Sequence, residues 1–257
     1  MPESAPIKVA LVTGAAKRLG RTIALAMAAQ GWDIAVHCHS STAEAEDTAK
    51  AIRALGRRAT ILQADLGNEA EVETLIPRAR EALGPLTALV NNASVFEMDK
   101  IETVTRDSWD RHIETGLRAP LVLSQALARQ LPDGAEGNIV NMLDQRVWKL
   151  TPYFLSYTVA KTGLWTLTRT LALALAPRIR VNGIGPGPTL PSERQSAEQF
   201  NAQTAAVPLG HGATPDEIAA GVLFILSARS MTGQMIALDG GEHLAWQQST
   251  KGFMPRE

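Results

Sequence analysis

The chain has 257 residues, 45% of them hydrophobic, and sets 25 Lys and Arg against 26 Asp and Glu for a formal charge of -1. A chain of this size buries a core without covalent help, so one domain is expected. The balanced charge offers no bulk attraction to nucleic acid or an acidic membrane surface, and any phosphate must be held locally.

The single cysteine, Cys38, leaves no internal disulfide and fits a reducing compartment. No apolar run is long enough to span a bilayer, and the polar start MPESAPIK lacks the apolar stretch of a signal peptide. A cytoplasmic protein is expected.

Along the chain, apolar runs of strand length alternate with helical patterns. The runs are IKVALV (7–12), DIAVHC (33–38), ATILQ (59–63), TALVN (87–91), NIVNM (138–142), IRVNGI (179–184) and QMIAL (234–238). Between them stand GRTIALAMAAQ, AEDTAKAIRAL, EVETLIPRAR, the long segment from Trp109 to Arg129, Ser156 to Leu175, and PDEIAAGVLFILSA. Strands that are apolar along their whole length are covered on both faces. The pattern predicts a doubly wound α/β sheet of seven parallel strands with helices on both faces, its ligands at the C-terminal strand ends. The Pro- and Gly-rich stretch from Gly185 to Ala213 is expected to be an irregular substrate lid. The polar residues 242–257 are expected to form a tail that is mobile or packs on a neighbouring subunit.

TGAAKRLG follows the first strand and opens the first helix. Glycines there let backbone approach a pyrophosphate, and the helix N-terminus offers free amides and a positive dipole. The second strand ends in HCHSS with no acid to bind ribose hydroxyls, and Lys17 and Arg18 stand in the adjacent turn. Two cations, hydroxyls and imidazoles suit a 2′-phosphate, so NADPH is favoured over NADH. His37, Cys38 and His39 are consecutive on a strand and alternate faces, so they cannot converge on one ion and no metal is expected.

Tyr157 and Lys161 lie four apart on one helical face. An ammonium beside a phenol lowers its pKa from about 10 and makes it a usable acid at neutral pH. Together with TGAAKRLG, NNAS after the fourth strand and GPG after the sixth, this set resembles the short-chain dehydrogenase/reductase family from Lys8 to about Gly241. The resemblance implies a single Rossmann domain that transfers hydride from a nicotinamide, with Tyr157 as proton donor and Lys161 on the cofactor ribose. It further implies that the cofactor lies against Gly14, Lys17, Arg18 and Leu19; His37, His39, Ser40 and Ser41; Asp65 and Leu66; Asn92, Ala93 and Ser94; Met142; and Pro186, Gly187 and Thr189. A homotetramer packed through the two long helices is also implied.

Three positions depart from the general family pattern: Arg18 replaces a third glycine, Asp144 a serine, and Gly116 an asparagine. TGAAKRLGR, the HxHxS strand end, NNASxF and the spacing of Asp144 to Tyr157 are similar to the pteridine reductase branch. A ketone reductase needs a donor for the carbonyl oxygen, whereas an ionised carboxylate only accepts. A pterin presents N–H donors and C=N bonds, which Asp144 could orient or help to protonate. By that resemblance Phe96 stacks on the heterocycle, while Arg18 and Ser94 reach its polar edge. Gly116 removes the side chain that, in much of the family, holds a water relaying protons to the lysine. Either its backbone carbonyl, with Glu114 or Thr115, suffices, or proton resupply is slow. Two other readings stay open: a carbonyl reductase of the 3-oxoacyl or sugar type, and a non-catalytic protein that senses NADPH.

Overall fold

The computed structural model describes residues 8–192 and 194–245. Seven strands form one parallel sheet in the order β3-β2-β1-β4-β5-β6-β7. They are β1 (Val9–Val12), β2 (Asp33–Cys38), β3 (Ala59–Gln63), β4 (Ala88–Asn91), β5 (Gly137–Met142), β6 (Ile179–Pro186) and β7 (Met235–Leu238). The helices are α1 (Arg18–Ala29), α2 (Thr42–Ala54), α3 (Glu69–Leu83), α4 (Arg106–Ile113), α5 (Ala119–Gln130), α6 (Leu155–Leu175), α7 (Ala197–Ala205) and α8 (Pro215–Ser227). No helix among the described residues is long and apolar enough to cross a membrane.

The unbroken apolar strands are explained by what covers each face. In β1, Val9 and Leu11 join a cluster with Val72 and Leu75 of α3, Leu123 and Leu127 of α5, and Leu171 of α6. The alternate residues Ala10 and Val12 join Ile23 and Met27 of α1, Ile52 of α2, and Ile218 and Val222 of α8. Successive side chains point to opposite faces, and each large one contributes roughly 1.5–3 kcal/mol when buried. The strand order reverses between β2-β1 and β1-β4, which opens a crevice at the C-terminal end of β1, where such sheets bind ligands.

Two helical segments differ from the sequence pattern. The stretch from Trp109 to Arg129, which reads as one helix, is α4 and α5 joined by a π-helical turn at Glu114–Arg118. Gly116 lies in that turn, where a Cβ would sit 3.4 Å from the Ala160 Cβ. The expected irregular lid from Gly185 to Ala213 contains α7, opened by a reciprocal cap in which Ser196 accepts from the Gln199 amide and Gln199 accepts from the Ser196 amide. The spacing Ser-x-x-Gln is the signal that could have found this helix. Of the expected tail, residues 242–244 form a 3-10 turn, and 246–257 lie outside the described residues.

The start of β2 is pinned by one buried carboxylate. Asp33 accepts from the Arg58 amide (2.9 Å) and Arg58 Nε (2.8 Å), and pairs with Arg57 Nη2 (2.6 Å). Burial acts to raise its pKa, but these donors outweigh it and hold the carboxyl below its ordinary value. A depressed folded pKa stabilises the fold above the unfolded value, near 4, and that stability is lost as pH falls through the folded pKa. Asp33→Asn is therefore expected to lower the unfolding free energy by about 1–3 kcal/mol at pH 7. In urea unfolding the gap between variant and parent should close as the pH falls below about 4; a gap that stays constant with pH would refute the assignment.

Candidate active site

The glycine turn after β1 is held by side chains from two neighbouring strands. Thr13 Oγ1 accepts from the amides of Asn92 and Ala93, both at 2.9 Å. Asn92 Nδ2 donates to the carbonyls of Thr13 (2.8 Å) and Gly14 (3.3 Å). Gly14 has φ +62, and a Cβ on Gly20 would stand 2.1 Å from the Gly14 carbonyl oxygen, so both positions need glycine. Arg18, where the family pattern has glycine, also takes the left-handed conformation, with φ 53. Its Nη2 donates to the Pro191 carbonyl at 2.7 Å and ties the turn to the Pro- and Gly-rich segment after β6.

His37 is part of this frame. Its Nδ1 accepts from the Gly14 amide (3.0 Å), which leaves the proton on Nε2 to donate to the Ala64 carbonyl (3.1 Å). Burial drives its pKa down to about 4, only partly offset by the Ala64 contact, so the ring is neutral. The expectation that His37 receives a phosphate is corrected: both ring nitrogens are engaged with backbone. His39 is exposed, 4.0 Å from Asp65.

The helix carrying Tyr157 and Lys161 begins without a capping side chain of its own. Its N-cap, Phe154, is in the left-handed region with φ 58 and has a side chain that cannot accept a hydrogen bond. Asp99, from the loop after β4, takes over this role. Its carbonyl accepts from the Leu155 amide (3.2 Å) and its carboxylate from the Ser156 amide (3.1 Å). The Ser156 hydroxyl also donates to this carboxylate and accepts from His112 Nδ1 (2.7 Å), and His112 Nε2 accepts from the Glu97 amide (3.3 Å). These residue types recur in hydrolase triads, but here the serine lies between histidine and aspartate, and all three are buried. That wiring offers no exposed nucleophile; it anchors α6. Further along, Asn91 donates to Asn141, which donates to Thr168 of α6, tying the helix to β4 and β5.

The first turns of α6 meet the end of β5. Tyr157 Oη donates to Asp144 Oδ2 at 2.8 Å, and Lys161 Nζ donates to the Met142 carbonyl at 2.7 Å. Burial lowers the Lys161 pKa to about 8, with Asp144 acting the other way. Asp144 also accepts from the Arg146 amide (2.8 Å) and from Arg146 Nη1 at 3.1 and 3.4 Å. Their side chains are 12% and 17% exposed, respectively. Burial works against the Arg146 charge, yet Asp144 and neighbouring groups leave its pKa raised.

Phe96 stacks on Phe154 with centroids 4.4 Å apart and planes 8° apart, and meets the Tyr157 ring at 4.8 Å and 78°. One of its faces is thus already used by a core aromatic.

The residues expected to bind cofactor or substrate all line one cavity of about 1060 Å³, which reaches from the glycine turn to residues 186–192 after β6; Gly116 does not line it, although its neighbours Glu114 and Thr115 do. The Ser94 hydroxyl donates to the Val95 carbonyl, and an Asp65 oxygen accepts from the Gly67 amide. Lys149 lines the cavity, while Trp148 is 45% exposed and packs against Trp165 and His243. The sequence reading missed Arg146, Phe154, Glu242 and the Asp99 network. Arg146 follows Asp144 by two positions and was within reach of inspection. The others depend on contacts from distant segments. Glu242 lines the cavity, its carboxyl raised by burial and only partly lowered by Arg146.

A family model described as enoyl-(acyl carrier protein) reductase matches residues 14–243. An uncharacterized oxidoreductase of Methylorubrum extorquens is 36% identical over 91% of this chain and 97% of its own length. A short-chain dehydrogenase/reductase of Armillaria gallica is 34% identical over 91% of this chain and 95% of its own length. Among solved structures, the FolM alternative dihydrofolate reductase 1 of Brucella canis, crystallised with NADP, is 47% identical. It superposes with a TM-score of 0.91 over 95% of this chain and 97% of its own. The glycine turn, the tyrosine and lysine on one face of α6, and these relatives agree: the chain belongs to the short-chain dehydrogenase/reductase family.

Proposed function

We propose that the protein is an NADPH-dependent reductase of pterins, adding hydride to a C=N carbon while Tyr157 gives a proton to the nitrogen. The observation that carries this reading is the carboxylate of Asp144 bonded to the Tyr157 hydroxyl inside the cavity. A ketone's oxygen would meet two acceptor atoms there, while a heterocycle with ring N–H groups has donors to offer. The 47% identity to the FolM alternative dihydrofolate reductase 1 of Brucella canis supports the same substrate class.

The residues present fit the cofactor. The cradle at Gly14 and Gly20 has no room for a Cβ, and the N-terminus of α1 opens on it, as pyrophosphate binding requires. Lys17, Ser40, Ser41 and His39 line the end where a 2′-phosphate would sit. NADPH, when bound, supplies the hydride. Tyr157 is held in one orientation by its bond to Asp144. Lys161, 3% exposed and fixed by the Met142 carbonyl, places a positive charge beneath the phenol, 5.7 Å from its ring centroid. Burial of this group limits water access and strengthens that electrostatic effect.

The rival reading is a reductase of oxoacyl or enoyl thioesters, favoured by the description of the matching family model. Asp144 weighs against it. A substrate panel separates the two. Purified protein is expected to oxidise NADPH much faster than NADH with a dihydropterin such as dihydrobiopterin, and Tyr157→Phe to lower kcat by about 100-fold or more. Faster turnover of acetoacetyl or crotonyl thioesters than of any pterin would overturn the proposal.

The lowered Lys161 pKa sets the pH dependence. The ammonium is present below about 8 and is lost as pH rises through it, so kcat/KM is expected to fall on the alkaline side near that value. Because Asp144 is the charge that raises Lys161, Asp144→Asn should move this limb to lower pH, whatever its effect on the maximal rate. A limb that stays in place would show that Lys161 does not control it.

A further inference from the structure

Arg146 is a buried cation at the substrate end of the cavity whose donors are only partly used. Nη1 makes two long contacts with Asp144, at 3.1 and 3.4 Å, and the buried Nε has no acceptor. A guanidinium carries five N–H donors in a rigid fork, and an unpaired buried donor costs about 1–3 kcal/mol. The guanidinium carbon is 5.4 Å from the Phe96 centroid and 5.1 Å from that of Phe154. Near-equal distances from two stacked rings place it beside the stack, not beyond either outer face. A flat ligand resting on the exposed side of Phe96 would meet this fork with its edge. At the same edge the carboxylate of Asp144 is a pure acceptor, so the pair presents a donor beside an acceptor.

Simple carbonyl compounds answer only half of that pair. A ketone oxygen can accept from Arg146, but nothing on it can donate to Asp144. A heterocycle with an N–H next to a ring nitrogen or carbonyl oxygen answers both, replacing the two long Arg146–Asp144 contacts with shorter ones of its own. Glu242, which also lines the cavity, acts electrostatically on Arg146 from the side of the C-terminal 3-10 turn and gives the guanidinium a second anion to balance when Asp144 turns to a ligand.

We propose that Arg146 is the specificity-determining residue of this chamber, selecting with Asp144 a planar heterocycle that carries a hydrogen-bond donor and acceptor on neighbouring atoms. This rests on the pterin reading above and adds to it which edge of the ring is recognised and by what. Arg146 is a binding group here; no proton or hydride passes through it.

The test compares dihydrobiopterin with 9,10-phenanthrenequinone, a flat substrate without N–H groups, in steady-state NADPH oxidation by the parent, Arg146→Met and Arg146→Lys. Arg146→Met should raise the KM for dihydrobiopterin by roughly 10- to 100-fold, the size expected for a charge-assisted hydrogen bond, with the loss mainly in KM. The quinone's oxygens accept from Arg146 but give nothing to Asp144, so its KM should rise several-fold less than that of dihydrobiopterin, and NADPH affinity by fluorescence titration should be retained. Arg146→Lys keeps the charge beside Asp144 but loses the fork, and should still raise the dihydrobiopterin KM by about 10-fold; it carries the measurement if the methionine variant fails to bind NADPH. An unchanged dihydrobiopterin KM in the lysine variant, or parallel losses on both substrates, overturns the role of Arg146 alone. A parent enzyme that reduces the quinone and no dihydropterin overturns the pterin reading, and this inference with it, without reference to any variant.

Discussion

The site depends on how one carboxylate divides its lone pairs. Asp144 stands at the end of β5 and accepts from the phenol of Tyr157, from the backbone of Arg146 and from the Arg146 guanidinium. An acid in this position, within a cavity that also holds a lysine, is tolerable only because positive charge lies on both sides of it. The Lys161 ammonium and the Arg146 guanidinium both feel its charge. The phenol is thereby held in one orientation inside the cavity, next to a carboxylate that can only accept.

The fold brings these groups together by ending its strands side by side. β1, β4, β5 and β6 deliver, respectively, the glycine turn, the loop with Ser94 and Phe96, the Asp144 turn, and Pro186 with Gly187 to one cavity. None of these four strands has an exposed residue, so their ends are fixed by packing of the two hydrophobic clusters. Thr13 and Asn92 then tie the end of β1 to the end of β4 through four hydrogen bonds. The glycine turn and the segment that leads to Ser94 and Phe96 are adjoining parts of one hydrogen-bonded rim.

Much of this was legible in the sequence because it depends on periodicity and local spacing. The seven apolar runs match the seven strands to within about two residues at each end, since strands covered on both faces leave a continuous apolar signature. Tyr157 and Lys161 could be paired from helix geometry alone. The π-helical turn at Glu114–Arg118 was not legible, because an extra residue in a helix leaves the apolar pattern nearly intact. His37 shows the limit of composition: an imidazole beside a phosphate site looks like a ligand until the Gly14 amide is seen to occupy its Nδ1. Helix α7 was hidden by the Pro- and Gly-rich residues around it, although its capping pair was present. Asp99, His112 and Ser156 are far apart in sequence, so only the folded chain brings them together.

Phe154 links the aromatic platform to the acid. It is at once the ring on which Phe96 stacks and the left-handed residue from which α6 departs, and the Asp99 that secures the helix start belongs to the same loop as Phe96. The surface that would carry a flat ligand and the hydroxyl that would protonate it are therefore two ends of one braced unit. Slack in one is slack in the other, and their separation is set by covalent geometry and a shared carboxylate.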